Sequence, residues 1–113
     1  MHELSVTEQV LRAALAHAEA HHARRITGIR LRVGEWASIV PESVEYYFGI
    51  VSQETIASGA KLSFEIVPLR ARCGPCGQVF DPAEAFVCPA CGSAETAIDT
   101  GRELEIESIE VST

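Results

Sequence analysis

Cys73-Gly74-Pro75-Cys76-Gly77 and Cys88-Pro89-Ala90-Cys91-Gly92 hold all four cysteines of this 113-residue chain, as two Cys-x2-Cys knuckles with eleven residues between them. A Cys-x2-Cys turn aims two thiolates at one point, and the glycine that follows permits the tight backbone there. Two such knuckles complete a tetrahedral zinc shell. Other uses of the cysteines fit less well. Paired disulfides need an oxidising compartment, whereas the first twenty residues show no apolar core behind a basic start, so a reducing, cytoplasmic setting is expected. A thioredoxin-like motif would need only one pair, on a βαβ frame. Four thiolates leave no open position, so the zinc expected at Cys73, Cys76, Cys88 and Cys91 is structural. Val79, Phe80, Phe86 and Val87 are nearly the only bulky apolar residues from Gly74 to Thr96, too few for a core. The metal must therefore supply folding energy, about 10–16 kcal/mol in comparable zinc peptides.

Outside the knuckles, hydrophobic period sets the elements. Ser5-Val6-Thr7-Glu8 reads as a capping box that starts a helix, leaving the first three residues just outside it. Leu4, Leu11, Leu15 and Ala18, widened by Val10 and Ala14, carry that helix to about Ala23. Ile29, Leu31 and Val33 alternate with Arg30 and Arg32 as a half-buried strand ending at Gly34. Pro41 opens a second helix, with Val44, Phe48 and Val51 on one face, ending before Gly59. Leu62, Phe64 and Ile66 form a second strand closed by Pro68. Leu104 and Ile106 share one phase while Ile109 and Val111 share the other, which implies a third strand with a bulge near Glu107-Ser108.

The expected fold is α+β, with two helices on a three-stranded mixed sheet and a small zinc-ribbon lobe inserted between strands 2 and 3. The crossover from strand 1 to strand 2 makes a parallel pair. Strands 2 and 3 are expected to form an antiparallel hairpin whose tip is the metal lobe. The domains would then be 1–69 with 102–113, and 70–101. Arg30, Arg32, Glu65 and the glutamates of the third strand fall on the solvated face.

At 47% apolar residues and a formal net charge of −7, the chain suits a compact soluble domain, with no stretch long enough to span a membrane. Many zinc ribbons bind nucleic acid through basic faces. Here Gly77 to Thr100 contains no Lys or Arg, while Asp81, Glu84, Glu95 and Asp99 are acidic, which argues against such a partner. No Ser/His/Asp or Cys/His catalytic group, paired acid site or phosphate-cradling loop stands out, so the chain reads as non-enzymatic.

Met1-His2-Glu3 offers a second kind of metal site. The Met1 amine, the His2 amide nitrogen and the His2 imidazole lie within one chelating reach, a planar nitrogen set suited to Ni(II) or Cu(II). Taken alone this signal is weak, since histidine is also a common surface residue. The Glu3 side chain has three readings: it contacts the metal, orients His2, or complements the helix dipole. His17 and His21 are four residues apart on one helical face. With His22, they read as a solvated helix end that picks up metal nonspecifically. Trp36 reads as a packing or partner-contact residue.

The Met1-His2-Glu3-Leu4-Ser5 opening, Arg30-Leu31-Arg32-Val33-Gly34, Val40-Pro41-Glu42, both knuckles and the run from Gly101-Arg102-Glu103 to Val111 together resemble the HypA/HybF family of hydrogenase and urease nickel-maturation factors. The resemblance covers essentially the whole chain, with no departure at these motifs. It implies a nickel metallochaperone that passes Ni(II) to the apo-[NiFe]-hydrogenase large-subunit precursor, with urease a further client and the GTPase HypB as partner. It also implies His2 as the essential nickel ligand and Zn(II) on Cys73, Cys76, Cys88 and Cys91. Two other classes stay open on the residues alone: an acidic zinc-ribbon adaptor that binds only proteins, and a thiol redox enzyme. Either a monomer or a weak homodimer is compatible with the sequence.

Overall fold

The computed structural model describes residues 3–83 and 85–113. The chain divides into two compact units. The first contains residues through Arg32, Ser38–Glu65 and Glu105–Thr113; the second contains Val33–Ala37 and Ile66–Leu104. Among the described residues no helix is long and apolar enough to cross a membrane.

In the first unit, helix α1 spans Glu3–Ala20 and α2 spans Pro41–Val51. The capping box expected at Ser5 does not start α1. Glu3 and Leu4 are good helix formers and are already helical, and the Thr7 hydroxyl donates back to the Glu3 carbonyl. The buried stripe is Thr7, Val10, Leu11, Ala14 and Ala18, whereas Leu4 stays exposed. At the other end α1 stops three residues short of Ala23. His22 takes a left-handed φ of 56°, its N–H donates to Glu19 O, and the Ala23 N–H donates to Ala18 O at 2.9 Å. This pair of bonds is a Schellman closure that satisfies the last carbonyls. Pro41 occupies the first turn of α2, whose cap Val40 offers no side-chain bond, and Val44 and Phe48 are buried.

Strands β1 (Arg25–Gly34), β2 (Lys61–Val67) and β6 (Leu104–Ser112) form one sheet in the order β2-β1-β6. The expected hairpin of the second strand with the last is therefore absent, because β1 lies between them. Burial explains the order. Ile26, Ile29, Leu31 and Val33 are almost wholly buried, so β1 takes the centre. By contrast, β6 has no fully buried residue and β2 leaves Ile66 exposed, as edge strands can. The sheet is mixed as expected. β2 runs with β1, placing Lys61 by Gly28 and Val67 by Glu35, while β6 runs against it, with Arg24 N–H donating to Ser112 O and Gly34 N–H to Glu103 O. The change of phase anticipated at Glu107-Ser108 is present, both residues being exposed, and β1 makes its own change at Gly28-Ile29, both buried. Arg30 and Arg32 meet Glu65, Glu105 and Glu107 on the exposed face.

The second unit contains a separate antiparallel sheet, β4-β3-β5, from β3 (Arg70–Cys73), β4 (Val79–Phe80) and β5 (Thr96–Thr100). Residues Val33–Ala37 belong to it through backbone bonds: Glu35 N–H donates to Val67 O at 2.8 Å and Trp36 N–H to Gly101 O at 2.7 Å. The Glu35 carboxylate accepts the Leu69 N–H at 2.7 Å.

Candidate metal centre

Each knuckle is built by the same backbone pattern. The Cys73 N–H donates to Gln78 O and its carbonyl accepts from Gly77 N–H; Cys88 does the same with Ser93 and Gly92. Both closures need a left-handed residue, supplied by Gly77 at φ 75° and Gly92 at φ 76°. A side-chain carbon on either glycine would meet nothing within 4 Å, so the requirement is conformational rather than steric. The knuckles are held to each other by the Gly74 N–H, which donates to Glu95 O at 2.8 Å. The Thr96 hydroxyl donates to Phe86 O at 2.9 Å.

This framework brings all four sulfurs within 4.8 Å of one another. The Cys73–Cys91 and Cys76–Cys88 sulfurs are 3.5 Å and 3.6 Å apart. A disulfide needs about 2.05 Å, so these are free thiols. A tetrahedron of sulfurs with metal–sulfur bonds of about 2.3 Å has edges of ~3.8 Å, which the cluster matches. Cys73 and Cys88 are buried, and Cys76 and Cys91 close the outer side. The buried cluster beside the knuckles comprises Ala71, Cys73, Phe80 and Cys88, so two of its four members are ligand candidates.

Electrostatics separate the thiols. The Cys76 backbone N–H favours the Cys73 thiolate, but burial and the sulfurs of Cys91, Cys76 and Cys88 outweigh it and push this thiol up to about 12. At Cys88 the Cys91 backbone N–H, helped by Ala90 and the neighbouring thiols, overcomes burial and lowers the group to about 7. Four negative sulfurs cannot share this space unaided. A thiophilic dication would remove the conflict, and the donor set fits zinc.

The other sequence-derived ligands stand differently. Met1 and His2 lie outside the described residues. Glu3 is the acid in the first turn of α1. The rings of His17 and His21 face each other with centroids 5.0 Å apart. Trp36 is half exposed and packs its ring against Phe86 at 5.9 Å. Glu35 and Glu103, which accept the backbone N–H groups of Leu69 and Gly101, escaped the sequence reading. Their only signal was an acid one or two residues after a glycine, which does not reveal which backbone it serves.

A four-thiol cluster on a three-stranded ribbon, joined in one chain to a two-helix unit with a mixed sheet, defines a small two-unit metal-binding protein of the α+β class. The family model for HypA, described as hydrogenase/urease nickel incorporation and metallochaperone, matches residues 1–111, and the chain belongs to that family. A hydrogenase maturation factor HypA from Dehalococcoides mccartyi (strain ATCC BAA-2266 / KCTC 15142 / 195) is 46% identical over 112 residues, 98% of this chain and 94% of its own length. Its counterpart from Geobacter sulfurreducens is 39% identical over 98% of this chain and 99% of its own. A solution structure of a HypA protein superposes with a TM-score of 0.80 at 25% identity, covering 98% of this chain and 96% of that one. The solution structure of the Ni metallochaperone HypA from Helicobacter pylori shares the fold, with a TM-score of 0.73 at 23% identity and 97% of each chain covered.

Proposed function

We propose that this protein is a nickel metallochaperone that takes Ni(II) at its amino terminus and delivers it to the apo-[NiFe]-hydrogenase large-subunit precursor, with urease as a further client. The observation that carries the reading is the family match, which spans residues 1–111 and so includes Met1-His2-Glu3. Nickel, the cargo, is held by the Met1 amine, the His2 amide nitrogen and imidazole, and a ligand from Glu3. Such a set must lose protons to bind, so protonation or ligand replacement drives release. HypB is the partner GTPase, and the protein acts in the cytoplasm as a monomer or weak homodimer.

Zinc on Cys73, Cys76, Cys88 and Cys91 supplies folding energy to a unit in which two of the four residues buried beside the knuckles are themselves ligands. A closed thiolate shell offers no position for substrate, in keeping with a non-enzymatic role. In domain terms, the first unit carries nickel and the second, which holds the knuckles, carries zinc.

Nickel titration of tag-free protein tests the reading, because any residue upstream of Met1 removes the amine ligand. One bound nickel that is lost in His2→Ala, with zinc content and circular dichroism unchanged, is the expected result. Equal nickel affinity in His2→Ala would sink the amino-terminal site.

A further inference from the structure

We propose a second transition-metal site at the carboxyl end of α1, formed by the imidazoles of His17 and His21. The spacing alone suggested only a solvated helix end; the ring geometry goes further. The two rings lie on one helix face with centroids 5.0 Å apart and planes tilted by 50°. An imidazole nitrogen bound at about 2.0–2.1 Å places its ring centre ~3.2 Å from the ion. Two centres 5.0 Å apart then subtend roughly 100° at that ion, between the square-planar and tetrahedral angles. The centroid spacing is therefore compatible with one ion between the two rings.

The surroundings leave the pair available. Both residues are exposed, and among the described residues no hydrogen bond or ion pair engages either ring. The Schellman closure at His22 and Ala23 fixes the backbone around His21, and the carbonyl end of a helix favours a cation. Glu107 shares a cavity of about 360 Å³ with His17, but Arg30 and Arg32 hold its carboxylate, so water completes the shell. Two imidazoles select borderline divalent ions such as Ni(II), Cu(II) or Zn(II) over Mg(II) or Ca(II).

The site is separate from the amino-terminal one. Glu3 and His17 lie on one α-helix, and the rise of about 1.5 Å per residue separates them by ~21 Å along its axis, too far for one ion to be shared. The two sites can therefore be tested independently.

The probe is Ni(II), titrated into zinc-loaded, tag-free His2→Ala protein and followed by imidazole resonances in NMR. The expected result is a saturable site whose binding broadens His17 and His21 before His22, reversed by chelator. His17→Gln and His21→Gln, each added to His2→Ala, should weaken that binding at least tenfold, while Glu107→Gln leaves it within twofold. Nickel that broadens His22 as early as the pair, or equal affinity in His17→Gln, would overturn the proposal.

Discussion

Gly34 and Gly101 meet backbone to backbone: a side-chain carbon added to Gly34 would lie 2.1 Å from both the carbonyl carbon and oxygen of Gly101. Gly101 is itself constrained, with φ at 117° and its own added carbon 2.7 Å from Leu69 Cα. The end of β1 and the turns after β2 and β5 thus share one point in the second unit. Neither glycine is there for flexibility; each makes room for another main chain.

Gly34→Ala is expected to destabilise the zinc-loaded protein by about 3 kcal/mol or more, since the obstructing atoms are backbone and cannot turn aside. Gly49 supplies the control, because it lies within α2 and an added carbon meets nothing within 4 Å. Gly49→Ala should raise stability by about 0.5–1 kcal/mol through helix propensity. Urea unfolding of both variants checks the pair, and equal midpoints would refute the crossing.

Cys76→Ala removes one of four ligand candidates beside a buried cluster of four residues, two of which are themselves cysteines. Loss of stoichiometric zinc is expected, with amide-exchange protection falling from about residue 70 to 101. Full zinc retention with unaltered protection would count against a four-cysteine site.

The parts of this fold legible in the sequence are those fixed by local chemistry. Cys-x2-Cys followed by glycine specifies a knuckle because ligand direction and a left-handed closure are local needs, and both knuckles form alike. Pro41 marked α2, and the alternation around Arg30 and Arg32 marked the solvated face of β1. Strand order was not legible. It depended on which strand is most completely buried, a comparison of β1 with β2 and β6 that adjacency in sequence does not make. The Ser5 capping box failed because two helix-favouring residues before it extended α1. At the candidate site, the four-cysteine cluster followed from spacing. The attachment of Glu35 and Trp36 to the metal-bearing unit required knowledge of the chain crossing at Gly34.

Trp36 should report the metal state of the second unit. It is the chain's only tryptophan, it sits in the Val33–Ala37 segment of that unit, and its ring lies 5.9 Å from Phe86. Phe86 is two residues before Cys88, and its carbonyl accepts the Thr96 hydroxyl that ties the second knuckle to β5. Removing zinc releases the charge conflict onto that knuckle, so Phe86 is expected to leave the indole and the indole to become wetter. Chelation should therefore shift Trp36 emission to the red, and zinc should restore it. Phe86→Ala separates this cause from general unfolding: the variant should already emit to the red with zinc bound and shift little on chelation. An unmoved emission maximum in native protein after verified zinc loss would show that the indole environment does not depend on the knuckle.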